Sequence, residues 1–307
     1  MPSFQTELFD LQVNGFAGVD FQQLDLSSAE LERAVRALHR YGTTRILLTL
    51  ITDSVDRLCA RLAHFERLCA ADPALAATIV GYHLEGPYLH PAPGFHGAHD
   101  PRLMKAPDCA EFDRLWVAAR ARLRLLTLAP EWPGSAEFIR HVVGHGVRVA
   151  IGHSDADACA IDDAVAAGLT LCTHLGNGVP MQLHRHDNII QRLLARDELT
   201  AVFIPDGRHV PPPVLRNFVR AKPAAKVLFT TDCMAAAGAP AGRYTLGPLS
   251  IEVGPDRVVR EPGKLNFAGS SLTMDRAVAN VISFLGWSPA EAHAACSTRV
   301  ATCLGLD

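Results

Sequence analysis

No stretch of this chain is basic enough to lie along nucleic acid. Lys and Arg number 29 against 32 Asp and Glu, for a formal net charge of -3, and they are spread thinly instead of gathered on one stripe. No apolar run reaches the roughly 20 residues needed to span a bilayer. The opening residues Met1-Pro2-Ser3-Phe4 have no basic region ahead of an apolar one. The expected partners therefore include neither nucleic acid nor membrane, and the expected compartment is the cytoplasm. The 8 cysteines (Cys59, Cys69, Cys109, Cys159, Cys172, Cys233, Cys296 and Cys303) contain no C-x-x-C pair and do not crowd. That excludes a zinc knuckle or a disulfide framework and leaves reduced core thiols. Cys233 follows Asp232 directly, but no base is placed to activate it. With no linker, charge block or low-complexity tract, residues 1–307 read as one domain.

What is present is a regular alternation over 307 residues, 49% of them hydrophobic. Strand-like runs fall at Glu7–Val13, Thr44–Leu50, Thr78–Leu84, Arg124–Ala129, Val147–Ile151, Leu169–Thr173, Thr200–Ile204 and Val227–Thr231. Helical periodicity fills the gaps. Ser27 to Glu30 forms a capping box ahead of Leu31, Val35 and Leu38, and Gly42 closes that helix. Ser54–Ala70, Ser135–Gly146, Asp155–Gly168 and Pro211–Lys222 read as further helices. Strands this apolar, without in–out alternation, are covered on both faces and belong to a parallel sheet. Eight such units predict an α/β fold, a (β/α)8 TIM barrel. The doubly wound alternative would need a glycine-rich phosphate loop, of which Asn14-Gly15-Phe16-Ala17-Gly18 is a weak echo. Arg243–Phe267, with turns at Gly247-Pro248 and Gly254-Pro255, reads as a β-hairpin excursion after the eighth strand. Ser270–Gly286 and Ser288–Leu306 read as two closing helices.

Four apolar runs end in a metal-binding or acid–base side chain, at Glu85, His153, His174 and Asp232. These positions follow strands three, five, six and eight, and a barrel's chemistry sits at those C-terminal ends. Two imidazoles and a carboxylate leave one coordination position of zinc open to water, the catalytic pattern. Asp232 is then placed to accept a proton from water attacking a carbonyl carbon and to pass it to a departing nitrogen.

Several ordered motifs carry a family resemblance. They are Asp10-Leu11-Gln12-Val13-Asn14-Gly15, His83–Pro87 with Gly97–Pro101, Gly152-His153-Ser154, Asp206-Gly207-Arg208-His209, Thr231–Gly238 and Ala268–Val278. Together they resemble the N-acetylglucosamine-6-phosphate deacetylase family of the amidohydrolase superfamily over nearly the whole chain. The resemblance implies Glu85, His153 and His174 as metal ligands, Asp232 as general base and His99 as the group that polarises the acetyl carbonyl. It implies substrate binding by His209, Asn177, Gly178 and Ala98. Gln12 and Asn14 stand where many amidohydrolases carry a His-x-His pair. Amides coordinate zinc poorly, so one divalent metal is expected, Zn2+ first, with Fe2+ also compatible with the ligand set. The implied reaction removes acetate from an N-acetylated amino sugar, N-acetylglucosamine 6-phosphate or a relative.

Two departures qualify that expectation. The family usually reads Thr-His-Leu-Phe-Asn-Ala-Met and then His-His-Arg-Glu-Pro-Gly. This chain reads Thr173-His174-Leu175-Gly176-Asn177-Gly178-Val179 and then Leu183-His184-Arg185-His186-Asp187-Asn188. Arg185 keeps the register of an arginine that in the family reaches the phosphate from a neighbouring subunit, which would require a homodimer. His184, His186 and Asp187 are alternative partners for sugar hydroxyls. Family members also carry a small β-sandwich built from both chain ends, and this sequence is expected to lack it. The competing readings are a deacetylase for an unphosphorylated or other N-acyl sugar, and a catalytically silent barrel that binds sugar phosphates.

Overall fold

The computed structural model describes residues 7–264 and 267–307; the first six residues, which include the opening Met1-Pro2-Ser3-Phe4, and two residues of the excursion lie outside them. Eight parallel strands follow one another in sheet order. They are β1 (Leu8–Val13), β2 (Thr43–Ile51), β3 (Ile79–Glu85), β4 (Leu123–Leu128), β5 (Arg148–Ile151), β6 (Leu171–Cys172), β7 (Thr200–Phe203) and β8 (Val227–Phe229). Every neighbouring pair is parallel, and helices lie between them, as the apolar runs required. The circle closes just beyond β8. Val13 forms a parallel bridge with Cys233, and the Asn14 N–H donates to the Cys233 carbonyl at 2.8 Å.

The barrel interior is layered. Phe9, Leu11, Leu47, Leu125, Ala150, Leu171, Val202 and Leu228 form a dry cluster, plugged from below by Val300, Ala301 and Leu304. Two residues further along their strands, on the same face, the side chains become polar. Thr127 Oγ1 lies 2.6 Å from Thr173 Oγ1 and 2.8 Å from His83 Nε2, and Thr49 Oγ1 lies 3.4 Å from His83 Nδ1. Burial pushes the His83 imidazole down to about 4, so it stands neutral in this layer. The functional side chains sit one step above.

Individual elements show why the local sequence folds as it does. In the helix Ser28–Arg40, Ser27 Oγ accepts from the Glu30 N–H while the Glu30 carboxylate accepts from the Ser27 N–H. Leu31, Ala34, Val35 and Leu38 form its buried face. Two strands are shorter than expected. β6 stops at Cys172 because His174 turns into left-handed space at φ 29. β8 stops at Phe229 because Thr230 and Thr231 turn their hydroxyls to the Asp10 carboxylate. The excursion is a three-stranded antiparallel sheet, Gly242–Leu246, Leu249–Val253 and Val259–Arg260, one strand more than a hairpin. The last expected helix is two, Pro289–Ala295 and Thr298–Leu304. Ser297 Oγ donates to the His293 carbonyl at 2.7 Å, the acceptor its own N–H would need for the helix to continue. All eight cysteines are free thiols.

Gly15 sets the entry to the site. A Cβ there would lie 2.5 Å from the Val19 carbonyl oxygen and 2.9 Å from the Ala235 backbone nitrogen. Both are backbone atoms that cannot swing away. Gly15→Ala is expected to cost about 1–3 kcal/mol by overpacking, measured as a lower unfolding midpoint in denaturant.

Candidate active site

The structure gathers the four strand-end residues at the C-terminal mouth. Glu85 is the last residue of β3. His153, His174 and Asp232 lie just past β5, β6 and β8. All three have positive φ, at 52, 29 and 49. Non-glycine residues held there cost about 1–3 kcal/mol each, a strain concentrated at functional sites. Gly178 is required by the same crowding: a Cβ there would stand 2.8 Å from His153 Nδ1.

Glu85 Oε1 lies 2.9 Å from His174 Nε2 and 3.3 Å from His153 Nε2, and the two imidazole nitrogens are 3.1 Å apart. His153 Nδ1 lies 2.6 Å from the Phe95 carbonyl oxygen. A carbonyl only accepts, so Nδ1 carries the proton and Nε2 presents its lone pair towards Glu85. That orientation is the one backbone carbonyls impose on metal-bound histidines. His174 Nδ1 is buried with no hydrogen-bond partner among the described residues, and the Nε2 side of that ring faces the site. Burial pushes the Glu85 carboxyl up, but the neighbouring imidazoles of His153, His174 and His99 outweigh it and hold the group well below the usual carboxylate range. An ionised carboxylate and two convergent imidazole nitrogens, deep in the mouth, suit a divalent cation.

His99 belongs to the same cluster: its Nε2 is 3.5 Å from Glu85 Oε2. Its role differs by hydrogen bonding. The Thr52 N–H donates to His99 Nδ1 at 3.3 Å, and Thr52 Oγ1 lies 2.9 Å from the same atom. Nδ1 is therefore the acceptor, and Nε2 carries the proton into the site. Burial lowers the His99 pKa, favouring this neutral donor form. A second grouping, Asp113 with His141 and His145, lies partly exposed on the outer helices, with His141 Nε2 2.6 Å from Asp113 Oδ1.

Asp232 is buried beside this cluster. Desolvation, then the Glu85 charge, push its carboxyl well above the ordinary range, and Asn14 Nδ2 donates to Oδ1 at 2.7 Å, pulling the other way. Asn14 thus orients the acid. The Gln12 amide is fully buried with no partner among the described residues. Ser270 clamps the Asp232 backbone: its N–H donates to the Asp232 carbonyl at 2.8 Å and its hydroxyl to the Thr231 carbonyl at 2.6 Å.

These groups open into a cavity of about 600 Å³, also lined by Ala98, Asn177, Gly178, Arg208 and His209. His209 Nδ1 bonds Asp206 Oδ2 at 2.7 Å, and its ring packs 4.8 Å from that of Phe267. Arg185 is exposed and is not among the residues lining the cavity. Its segment is bonded to itself. The Asp187 N–H donates to His184 Nδ1 at 2.9 Å, and Asp187 pairs with Arg192 at 2.7 Å. Sequence reading missed Thr52, Phe95, Ser270 and the pairing of Asn14 with Asp232, since none carries a local signal.

An eight-stranded parallel barrel with carboxylate, imidazoles and a buried aspartic acid at its mouth defines the amidohydrolase type of hydrolase barrel. The chain is 33% identical over 298 residues to N-acetylgalactosamine-6-phosphate deacetylase of Escherichia coli O157:H7, spanning 97% of this chain and 77% of that protein. It is 34% identical to human N-acetylglucosamine-6-phosphate deacetylase, spanning 97% and 73%. Its fold superposes with a TM-score of 0.88 at 32% identity on a mutant N-acetyl-D-glucosamine-6-phosphate deacetylase from Mycobacterium smegmatis in complex with N-acetyl-D-glucosamine-6-phosphate, covering 98% of this chain and 77% of that one. No protein-family model matches the chain. The chain belongs to the N-acetylglucosamine-6-phosphate deacetylase family.

Proposed function

We propose that this chain hydrolyses the acetamide of an N-acetylated hexosamine 6-phosphate, N-acetylglucosamine 6-phosphate first, giving acetate and the amino sugar phosphate. The observation that carries the reading is the convergence of Glu85, His153 and His174 beside Asp232 in a cavity of about 600 Å³, in a member of this family. Glu85, His153 and His174 would hold one divalent metal, Zn2+ by preference. Such an ion supplies Lewis acidity that makes water a nucleophile near neutral pH. Asp232 takes the proton of the attacking water and delivers it to the leaving nitrogen. His99 donates Nε2–H to the acetyl oxygen as negative charge develops there. Asn14 holds Asp232 in register, and His209, Asn177, Gly178 and Ala98 frame the sugar.

The test is acetate release by zinc-loaded protein from N-acetylglucosamine 6-phosphate, N-acetylgalactosamine 6-phosphate and the two unphosphorylated sugars. Release from either phosphorylated sugar, and not from the plain ones, is the expected result. Release confined to the plain sugars would favour the unphosphorylated substrate class, and release from none with zinc bound would sink the deacetylase reading.

A further inference from the structure

The substrate proposed above carries a phosphate dianion, and something at the cavity wall has to meet that charge. Of the residues lining the cavity, Arg208 is the one lysine or arginine among the described residues. Its side chain is exposed. Among the described residues its guanidinium makes no ion pair or side-chain hydrogen bond. The backbone under it is held in place. Asp206 Oδ1 accepts from the Arg208 N–H and the His209 N–H, both at 2.8 Å, while Oδ2 takes Nδ1 of His209. The Asp206 carboxylate is thereby spent within its own turn, and the guanidinium beyond it stays available. The nearby Asp256 carboxylate is likewise committed, to Arg260 at 3.0 Å. Arg208 also borders a second cavity of about 750 Å³, lined by Arg257 and Arg276 together with the committed carboxylates Asp206 and Asp256, so arginines outnumber carboxylates there.

We infer that Arg208 anchors the substrate phosphate, supplied in cis by the same chain that holds the reacting groups. This rests on the deacetylase reading for the identity of the substrate. A planar guanidinium meets a phosphate with paired, charge-assisted hydrogen bonds, and a place at the cavity rim lets the dianion stay partly hydrated. Arg185, which keeps the register of the family's trans arginine, lies off this cavity in the chain's own fold. On this inference a single chain recognises the phosphate without an arginine from a neighbour.

The experiment is calorimetric binding of glucosamine 6-phosphate and of glucosamine to the zinc-loaded protein, for wild type, Arg208→Ala, Arg208→Lys and Arg185→Ala. Wild type should bind the phosphorylated sugar more tightly. Arg208→Ala should weaken that binding about tenfold or more, since a lost charged hydrogen bond amounts to at least one such factor. Arg208→Lys should recover part of it, and Arg185→Ala should stay within about twofold of wild type. In turnover the Arg208→Ala loss should fall on KM more than on kcat. Arg208 is exposed, so unchanged melting of the variants checks the fold. Wild type that does not distinguish the two sugars, Arg208→Ala within twofold of wild type, or the whole loss falling on Arg185→Ala would each overturn the inference. Binding is read without turnover. A wild type that binds through Arg208 yet releases no acetate would therefore remove the proposed reaction and leave the anchor in place.

Discussion

Asp232→Asn should lower kcat by roughly 10²- to 10⁴-fold, the usual worth of a positioned general base. That range corresponds to about 3–5 kcal/mol in the barrier. The substitution keeps shape and volume, and the amide can still turn its oxygen to Asn14 Nδ2, which lies 2.7 Å from Oδ1 in the native site. What it removes is the ability to take up and return a proton. Glu85, His153 and His174 remain, so the zinc content should stay near that of wild type. The pair of readings, metal content and kcat, discriminates. Activity lost in step with zinc would make Asp232 a ligand first, and activity kept would point to the silent sugar-phosphate-binding barrel.

Glu85→Gln is expected to act on the metal instead. Glu85 is an ionised carboxylate facing both His153 and His174, with Oε1 at 3.3 and 2.9 Å, and the three neighbouring imidazoles keep it charged despite burial. A neutral amide presents a much poorer ligand and carries no charge to balance a dication. Changes one layer out from a metal already cost roughly 10–100-fold in affinity, so loss of a ligand should exceed that. A ligand present at a hundred times its dissociation constant stabilises a fold by about 2.7 kcal/mol. Wild type should therefore melt higher when zinc is added to stripped protein, and Glu85→Gln should lose both the bound zinc and the zinc-dependent shift. Retention of one zinc per chain by the variant would overturn the ligand assignment.

These two variants probe groups that look alike in sequence, acids beyond buried strands, and differ only in what surrounds them. Glu85 faces three imidazoles and is held ionised; Asp232 faces Glu85 and one amide and is pushed up. A pair of carboxyls driven in opposite directions by their environments is how a barrel mouth separates a ligand from a proton carrier.

Period and spacing carried far. Apolar runs without alternation gave away a parallel sheet, and their regular recurrence a barrel, because buried strands must be apolar on both faces whatever their neighbours. Placing Glu85, His153, His174 and Asp232 at strand ends needed nothing more, since strand direction puts those ends on one rim. Other features depended on contacts between distant segments. Asn14 meets Asp232 across 218 residues, Phe95 fixes the His153 tautomer across 58 and Thr52 that of His99 across 47. No local pattern encodes such meetings, because they follow from where the closed sheet brings separate loops. The same holds for the left-handed turns at His153, His174 and Asp232, which no propensity for those residue types predicts. It holds also for the arginines: Arg185 has the family register and lies off the cavity, while Arg208, one of many arginines in the chain, lines it. Residue types and their order are local properties, whereas protonation, orientation and access belong to the packed surroundings of each group.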